Sequence, residues 1–236
     1  MTRLDTRPLV ERITDELRAQ VIDGRLKPGS RLRQEEIAAE LGISRTPLRE
    51  AFRRLQGEGW FLNHPRQGIV VSSLSIEEVT NIAVARMMLE PTSARLAAVT
   101  HDQAAEDRMR ALIAEHPVPE DAHAFFEINR DFHFQVSGIG GPDSESTDLS
   151  RIIARYWEQF SRYRLYYWRS TDHVALSTHA HNQIADAWLA RDGDKVEKLV
   201  AQHIWVAIKD QIAVLHPEAE VDAALRTLCS RYDIEV

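Results

Sequence analysis

Two short runs of β-branched and aromatic residues, Trp60-Phe61-Leu62 and Ile69-Val70-Val71, are the strand-like stretches of this 236-residue chain; the rest carries helical periodicity. The runs are separated by Asn63, His64, Pro65, Arg66, Gln67 and Gly68, so they read as a two-stranded hairpin with a polar, basic tip. Three helices are expected before it. Leu9, Ile13, Leu17 and Val21 recur every fourth residue between Pro8 and Ile22, and Asp23-Gly24 ends that pattern. A turn at Lys27-Pro28-Gly29 leads to a short helix from Gln34 to Leu41 with Ile37, Ala38 and Leu41 inward, broken at Gly42. Ser44 then marks the start of a third helix, which tolerates Pro47 in its first turn, buries Leu48, Phe52 and Leu55, and runs out near Gly57 or Gly59. Helix, turn, helix, turn, helix, hairpin is the order of a winged helix-turn-helix.

After Ser75 the pattern is helical throughout. Ser75-Ile76-Glu77-Glu78 fits a capping box, followed by Val79, Ile82, Ala83, Leu89, Ala94, Leu96 and Ala97 at helical spacings. Further helices are expected at roughly 102–115, 120–137, 147–170, 173–191 and 194–215, with Gly138-Ile139-Gly140-Gly141-Pro142-Asp143 as a loop and a short helix after Pro217. The expected fold class is mainly α: a winged helix-turn-helix over residues 1–73, then an antiparallel all-helical bundle over residues 74–236.

Charge divides at the same place. Residues 1–75 hold 13 Lys/Arg and 10 Asp/Glu, a balance of +3, whereas residues 76–236 hold 16 and 26, a balance of -10. A net charge of -7 spread evenly would oppose contact with nucleic acid; concentrated in the second part, it does not. The single cysteine, Cys229, permits no intrachain disulfide and is expected as a buried core thiol. With no secretory signal and no apolar run of about 20 residues, the expected setting is the reducing cytoplasm, without membrane contact.

The third helix has the composition of a DNA-reading element. Arg45, Arg49 and Arg53 are four apart and share a face that excludes Leu48, Phe52 and Leu55. Arginine grips guanine O6 and N7 with two parallel bonds, and the Thr46 hydroxyl can reach phosphate or base. The competing reading is a solvated face paired with Glu50 and Glu58. In the helical half, Asn129, His133, His181 and His203 form a candidate constellation: Asn129 and His133 stack on one helix face, and three imidazoles with one carbonyl oxygen suit zinc or nickel. Spacing alone leaves open that these are ordinary core or surface side chains.

The stretch Val21-Ile22-Asp23-Gly24-Arg25-Leu26-Lys27-Pro28-Gly29-Ser30-Arg31-Leu32, then Leu41-Gly42-Ile43-Ser44-Arg45-Thr46-Pro47-Leu48-Arg49-Glu50-Ala51, then Glu58-Gly59-Trp60 resembles the signature of the GntR family of bacterial regulators. The resemblance covers nearly all of residues 9–71. It implies Ser44, Arg45, Thr46 and Arg49 as operator contacts, with His64, Arg66 and Gly68 at a wing tip that touches the adjacent groove or backbone. Some relatives have a basic residue where this chain has Glu35 or Glu36, and Arg33 is carried over in that role.

Phe132-His133, His181-Asn182-Gln183-Ile184 with Ala187, Asp192 and His203, together with Arg86, Leu89, Glu90 and Ala97-Ala98, is similar to the C-terminal FCD domain of the FadR-like subgroup. The resemblance implies a metal held by one acidic or amide side chain and three histidines, here Asn129, His133, His181 and His203, that helps hold a carboxylate effector. Asn129 departs from the Asp of many metal-binding members and leaves the set without an anionic ligand. Asp131 and His179, two residues from His133 and His181, should point away. For Arg86 two readings stand: it pairs with the effector carboxylate, or with Glu90 one turn on. The aromatic run Tyr156, Trp157, Phe160, Tyr163, Tyr166, Tyr167 and Trp168 fits core packing, a pocket lining or a dimer face.

The function this implies is a homodimeric, metabolite-responsive DNA-binding transcription regulator, a repressor by analogy, with a small organic acid or sugar acid as effector. Two rivals are a metal-dependent enzyme and a ligand-independent DNA-binding protein. Against the enzyme, the chain has no His-Glu-x-x-His, no Gly-x-Ser-x-Gly and no phosphate loop with Lys.

Overall fold

The computed structural model describes residues 7–73, 75–114, 122–139, 147–167 and 171–236, without the side chains of residues 22, 122–127, 158, 161–167, 171–174 and 214–215. The chain divides into two compact units, Met1–Ser75 and Ile76–Val236.

In the first unit, α1 spans Leu9–Ile22, α2 Gln34–Glu40 and α3 Arg45–Gly57, followed by β1 (Phe61–His64) and β2 (Gly68–Val71). Pro8 is the N-cap of α1, where its missing N–H costs nothing. Ile13, Leu17 and Val21 are buried, but Leu9, expected on the same stripe, is exposed in the first turn of α1. Gly42, with φ of +64°, makes the sharp turn between α2 and α3 in a region that residues with a Cβ rarely enter. Leu48, Ala51, Phe52 and Leu55 form the buried face of α3, and the Phe52 ring meets Phe61 of β1 at 5.0 Å between centroids. The strands pair antiparallel, Phe61 opposite Val71 and His64 opposite Gly68. One feature had no sequence signal: the segment after Gly29 adds a third rung. Leu32 N–H donates to the Ile69 carbonyl (2.8 Å), Val71 N–H to Ser30 (2.9 Å), and Arg31 bridges Val70. The expected turn at residues 27–29 therefore ends in a single β-bridge that ties the segment to the wing.

The second unit contains α4 (Ile76–Thr100), α5 (Gln103–Ala114), α6 (Ala122–Val136), α7 (Asp148–Tyr167), α8 (Thr171–Leu189), α9 (Gly193–Leu215) and α10 (Ala223–Arg231). α4 lies at its centre, packed against α6, α7, α8, α9 and α10. Val79, Ile82, Ala83, Met87, Ala94 and Ala98 of α4 are buried, whereas Leu96, read as inward from spacing, is exposed. Trp188 of α8 donates from Nε1 to the Val136 carbonyl (3.2 Å), and Ser93 of α4 donates to the Ser137 carbonyl (2.8 Å). These two bonds fix the end of α6 against α4 and α8. Asp192 caps α9 by accepting from Lys195 N–H at 3.1 Å. Trp157 and Phe160 of the aromatic run are buried and Tyr156 is half-buried. The side chains of Tyr163, Tyr166 and Tyr167, all of Trp168 and the loop at 140–143 lie outside the described residues. Among the described residues no helix is long and apolar enough to cross a membrane.

The C-terminal helix α10 docks on α4 through Leu225 and Cys229, with Tyr232 also buried and Lys198 pairing Asp233 at 3.1 Å. Burial pushes both the Cys229 thiol and the Tyr232 phenol above their ordinary values. Because each folded-state value lies above the unfolded one, their stabilising effect is complete at neutral pH and is lost as pH rises through the folded values. We expect Cys229 to resist alkylation at pH 7 and to react as the segment loosens above roughly pH 9. The check is the labelling rate against pH; fast labelling of the native chain at pH 7 would contradict the burial.

Candidate nucleic-acid interface and metal centre

The exposed face of α3 carries Arg45, Thr46, Arg49 and Arg53, opposite its buried row. Ser44 occupies the N-cap position with extended backbone, but its hydroxyl makes no capping bond, which leaves that oxygen exposed at the helix start. Two expected contacts are engaged within the unit: Arg45 pairs with Glu35, and Arg33 with Glu36 at 2.7 Å. The Arg45–Glu35 pair was not legible in the sequence, because α2 and α3 are brought side by side only by the turn at Gly42, whereas the Arg33–Glu36 pair is local, three residues apart at the start of α2. The expected alternative partner Glu58 faces elsewhere, bonded to Arg18 at 2.7 Å and near Arg54 at 3.4 Å. Arg49 and Arg53 form no ion pair among the described residues.

At the wing tip, His64 and Arg66 are exposed, and the Arg66 backbone N–H donates to His64 Nδ1 at 3.3 Å. Gly68 adopts φ of +75° with nothing within 4 Å of where a Cβ would stand. A Gly68→Ala change therefore meets backbone strain alone, about 1–2 kcal/mol, which a melting curve would register as a modest loss.

In the second unit, His133 of α6, His181 of α8 and His203 of α9 converge. His203 Nε2 lies 3.2 Å from His181 Nε2 and 3.2 Å from His133 Nε2, and the three ligand atoms fall within 4.8 Å of one another. A ring nitrogen offers one N–H or one lone pair, so His203 Nε2 cannot satisfy both neighbours by hydrogen bonding. A divalent cation between the three rings can. Nitrogens bound tetrahedrally at about 2.0–2.1 Å stand roughly 3.3 Å apart, which matches the two short separations. Asn129, 1% exposed, stands one turn before His133 on α6, and its Nδ2 is buried without a hydrogen-bond partner among the described residues. The three imidazole nitrogens thus fit a metal, to which Asn129 could add only its carbonyl oxygen Oδ1. Asp131 and His179 are exposed, away from the cluster.

Behind His133 lies a buried ion pair. Arg86 donates from Nε to Glu90 Oε1 (2.5 Å) and from Nη2 to Glu90 Oε2 (3.0 Å), with the two side chains 2% and 1% exposed. Glu90 Oε2 stands 3.7 Å from His133 Nδ1, too long for a hydrogen bond but close enough to favour a proton on that nitrogen and leave Nε2 facing His203. The Arg86 guanidinium also lies over the Phe160 ring at 4.3 Å. Of the two readings for Arg86 the intrahelical pair is present, yet Nη1 remains buried and unpartnered among the described residues. Two neighbours were missed in the sequence: Glu90 as a group facing His133, and Ser177, whose Oγ is 3.4 Å from His181 Nε2. The i,i+4 step from Ser177 to His181 is the trace that could have drawn attention to the latter.

A winged helix-turn-helix with an arginine-faced third helix, and a helical unit with a three-histidine centre, define a ligand-modulated DNA-binding transcription regulator rather than an enzyme. The chain belongs to the GntR family: residues 9–71 match the model "Bacterial regulatory proteins, gntR family", and residues 81–205 match the FCD domain. GntR regulators bind operator DNA; FCD domains bind small-molecule effectors and are often metal-associated. The transcriptional repressor RspR of Escherichia coli K12 is 28% identical over 209 residues, which are 84% of this chain and 87% of the relative. The Nta operon transcriptional regulator of Aminobacter aminovorans is 28% identical over 184 residues, 75% of this chain and 82% of the relative. The solved structure of E. coli McbR/YncC superposes with a TM-score of 0.69 at 21% identity, covering 87% of this chain and 98% of that one, and so shares the fold.

Proposed function

We propose that this chain is a homodimeric, cytoplasmic repressor whose operator affinity is set by a small carboxylate bound beside a metal. Residues 1–73 grip DNA, and residues 74–236 dimerise and bind the effector. The observation that carries the reading is the convergence of three imidazole nitrogens on one point in a buried setting, within reach of the Arg86–Glu90 pair. Asn129, His133, His181 and His203 hold zinc or nickel, which supplies positive charge for a carboxylate oxygen. Arg86, with Nη1 still unfilled, offers the second anchor. An organic acid or sugar acid matches this pair of cationic groups.

Ser44, Arg45, Thr46 and Arg49 enter the major groove, Arg33 touches the backbone, and the tip carrying His64, Arg66 and Gly68 reaches the neighbouring groove. Two such units on a two-fold axis read a near-palindromic site. Effector binding shifts the relative placement of the two DNA-binding units, as far as its differential affinity allows.

The test is a thermal-shift screen of organic and sugar acids with and without zinc or nickel, followed by operator titrations. An acid that raises the melting temperature only with metal, and changes operator affinity, supports the reading. Metal-independent melting with no acid effect on DNA binding sinks it. Glu35 provides a separate check of the DNA face. Its pair with Arg45 is 74% and 65% exposed, so it adds little to stability, but it occupies Arg45 and places a negative charge where phosphate comes. Glu35→Gln should bind any duplex about threefold tighter, read by fluorescence anisotropy. A loss confined to one base position would instead make Glu35 a reader of cytosine.

A further inference from the structure

Six of the eleven arginines among the described residues of the first unit are already paired: Arg7, Arg18, Arg25, Arg33, Arg45 and Arg54 each have a carboxylate within 3.4 Å. Arg49 and Arg53 do not, and neither makes a hydrogen bond or ion pair among the described residues. Both line a groove of about 280 Å³ between α3 and the wing, together with Gln34, Gln56 and Asn63, over an apolar floor that includes Phe52. No carboxylate lines it, in a unit with 10 acidic residues. The three amides also leave their side chains without hydrogen bonds among the described residues.

The chain's own geometry builds this concavity. Arg49 and Arg53 are one turn apart on α3, so they project from the same side. Asn63 is two residues from Phe61 on β1 and therefore shares the strand face that packs Phe61 against Phe52 of α3. Two guanidinium groups and three amides thus border a space some nine times the roughly 30 Å³ of one liquid water, in a pattern that suits an anion with several oxygens.

The occupant follows from duplex topology. Major and minor grooves are separated by a single sugar-phosphate strand, so a helix in one and a wing in the next must straddle that strand. The strand passes over the cleft between helix and wing. We propose that this groove seats one backbone phosphate of each operator half-site, with Arg53 and Asn63 as its clamp and Gln34 and Gln56 at its edges. The assignment rests on the reading that α3 enters the major groove. It makes Arg53 a sequence-independent anchor, distinct from Arg49, which borders the same groove nearer the base-reading start of the helix.

The experiment uses the full chain, a duplex selected by it from a random-sequence pool, and an unrelated duplex of equal length, titrated at several salt concentrations. Arg53→Ala and Asn63→Ala should each weaken binding about tenfold on both duplexes, and Arg53→Ala should lower the salt slope by about one. Arg53→Lys should restore the slope. Single methylphosphonate substitutions along the selected duplex should reveal one position per half-site that weakens the wild type but costs nothing further in Arg53→Ala. Since Arg53 is exposed and unpaired, its variants should melt with the wild type. Unchanged affinity and slope in Arg53→Ala, a loss confined to the selected duplex, or no methylphosphonate position that couples to Arg53 would each overturn the proposal. Arg49→Ala separates the two levels: if it still loses affinity while Arg53→Ala does not, only the phosphate seat fails, and if neither changes binding, the placement of α3 fails with it.

Discussion

Arg86→Ala should destabilise the second unit by about 3–5 kcal/mol, the largest single-residue effect expected in the chain. The loss comes less from the pair's own strength than from what it leaves behind. Glu90, 1% exposed, would keep a carboxylate in the core with neither guanidinium nor water to meet it. Replacing both partners by apolar residues of similar size, Arg86→Met with Glu90→Leu, removes the stranded charge and should recover most of the stability. Chemical denaturation of the wild type, the single and the double variant gives the comparison. A single variant as stable as the wild type would show that the pair is solvated in solution. The same double variant should lose the effector response, because it deletes the proposed anchor at Nη1 and the charge facing His133 Nδ1.

Loss of metal dependence on removing any one histidine is the second large effect. With metal at a hundred times its dissociation constant, binding adds about 2.7 kcal/mol to the folded state. For a unit of this size that amounts to roughly 5–10 °C in Tm. Chelation should remove the increment from the wild type and zinc or nickel restore it, whereas His181→Ala should melt identically with and without metal. Asn129→Asp should tighten the site, because a carboxylate brings the anionic ligand that the present set lacks. A wild type indifferent to chelator, or a His181→Ala variant that still responds to metal, would remove the centre from the account.

How much of this was legible in the chain varies with the range of the interaction. The limits of α3 were, since the turn at Gly42 and the glycine at Gly57 are local signals, and so were the hairpin runs and the helices of the second unit, whose periodicities are local. The bridge at Arg31 was not, because its pairing with β2 joins residues some forty positions apart and its sequence reads as the end of a turn. Leu9 and Leu96 fit their stripes by spacing and are exposed, because periodicity gives a direction from the helix axis and not what lies there. The docking of α10 on α4 was equally invisible: a short amphipathic stretch does not say which surface receives it.

The arginine face of α3 shows the division most clearly. That Arg45, Arg49 and Arg53 share one side of a helix is determined by the sequence alone, through the 3.6-residue turn. Which of them is already occupied was decided by tertiary structure, when the turn at Gly42 set Glu35 beside Arg45 and the wing closed a carboxylate-free groove around Arg49 and Arg53. The histidines divide in the same way. Their number and spacing are properties of the chain, but nitrogens 3.2 Å apart arise only when α6, α8 and α9 pack together, because atoms 70 residues apart meet through the core and not through the backbone.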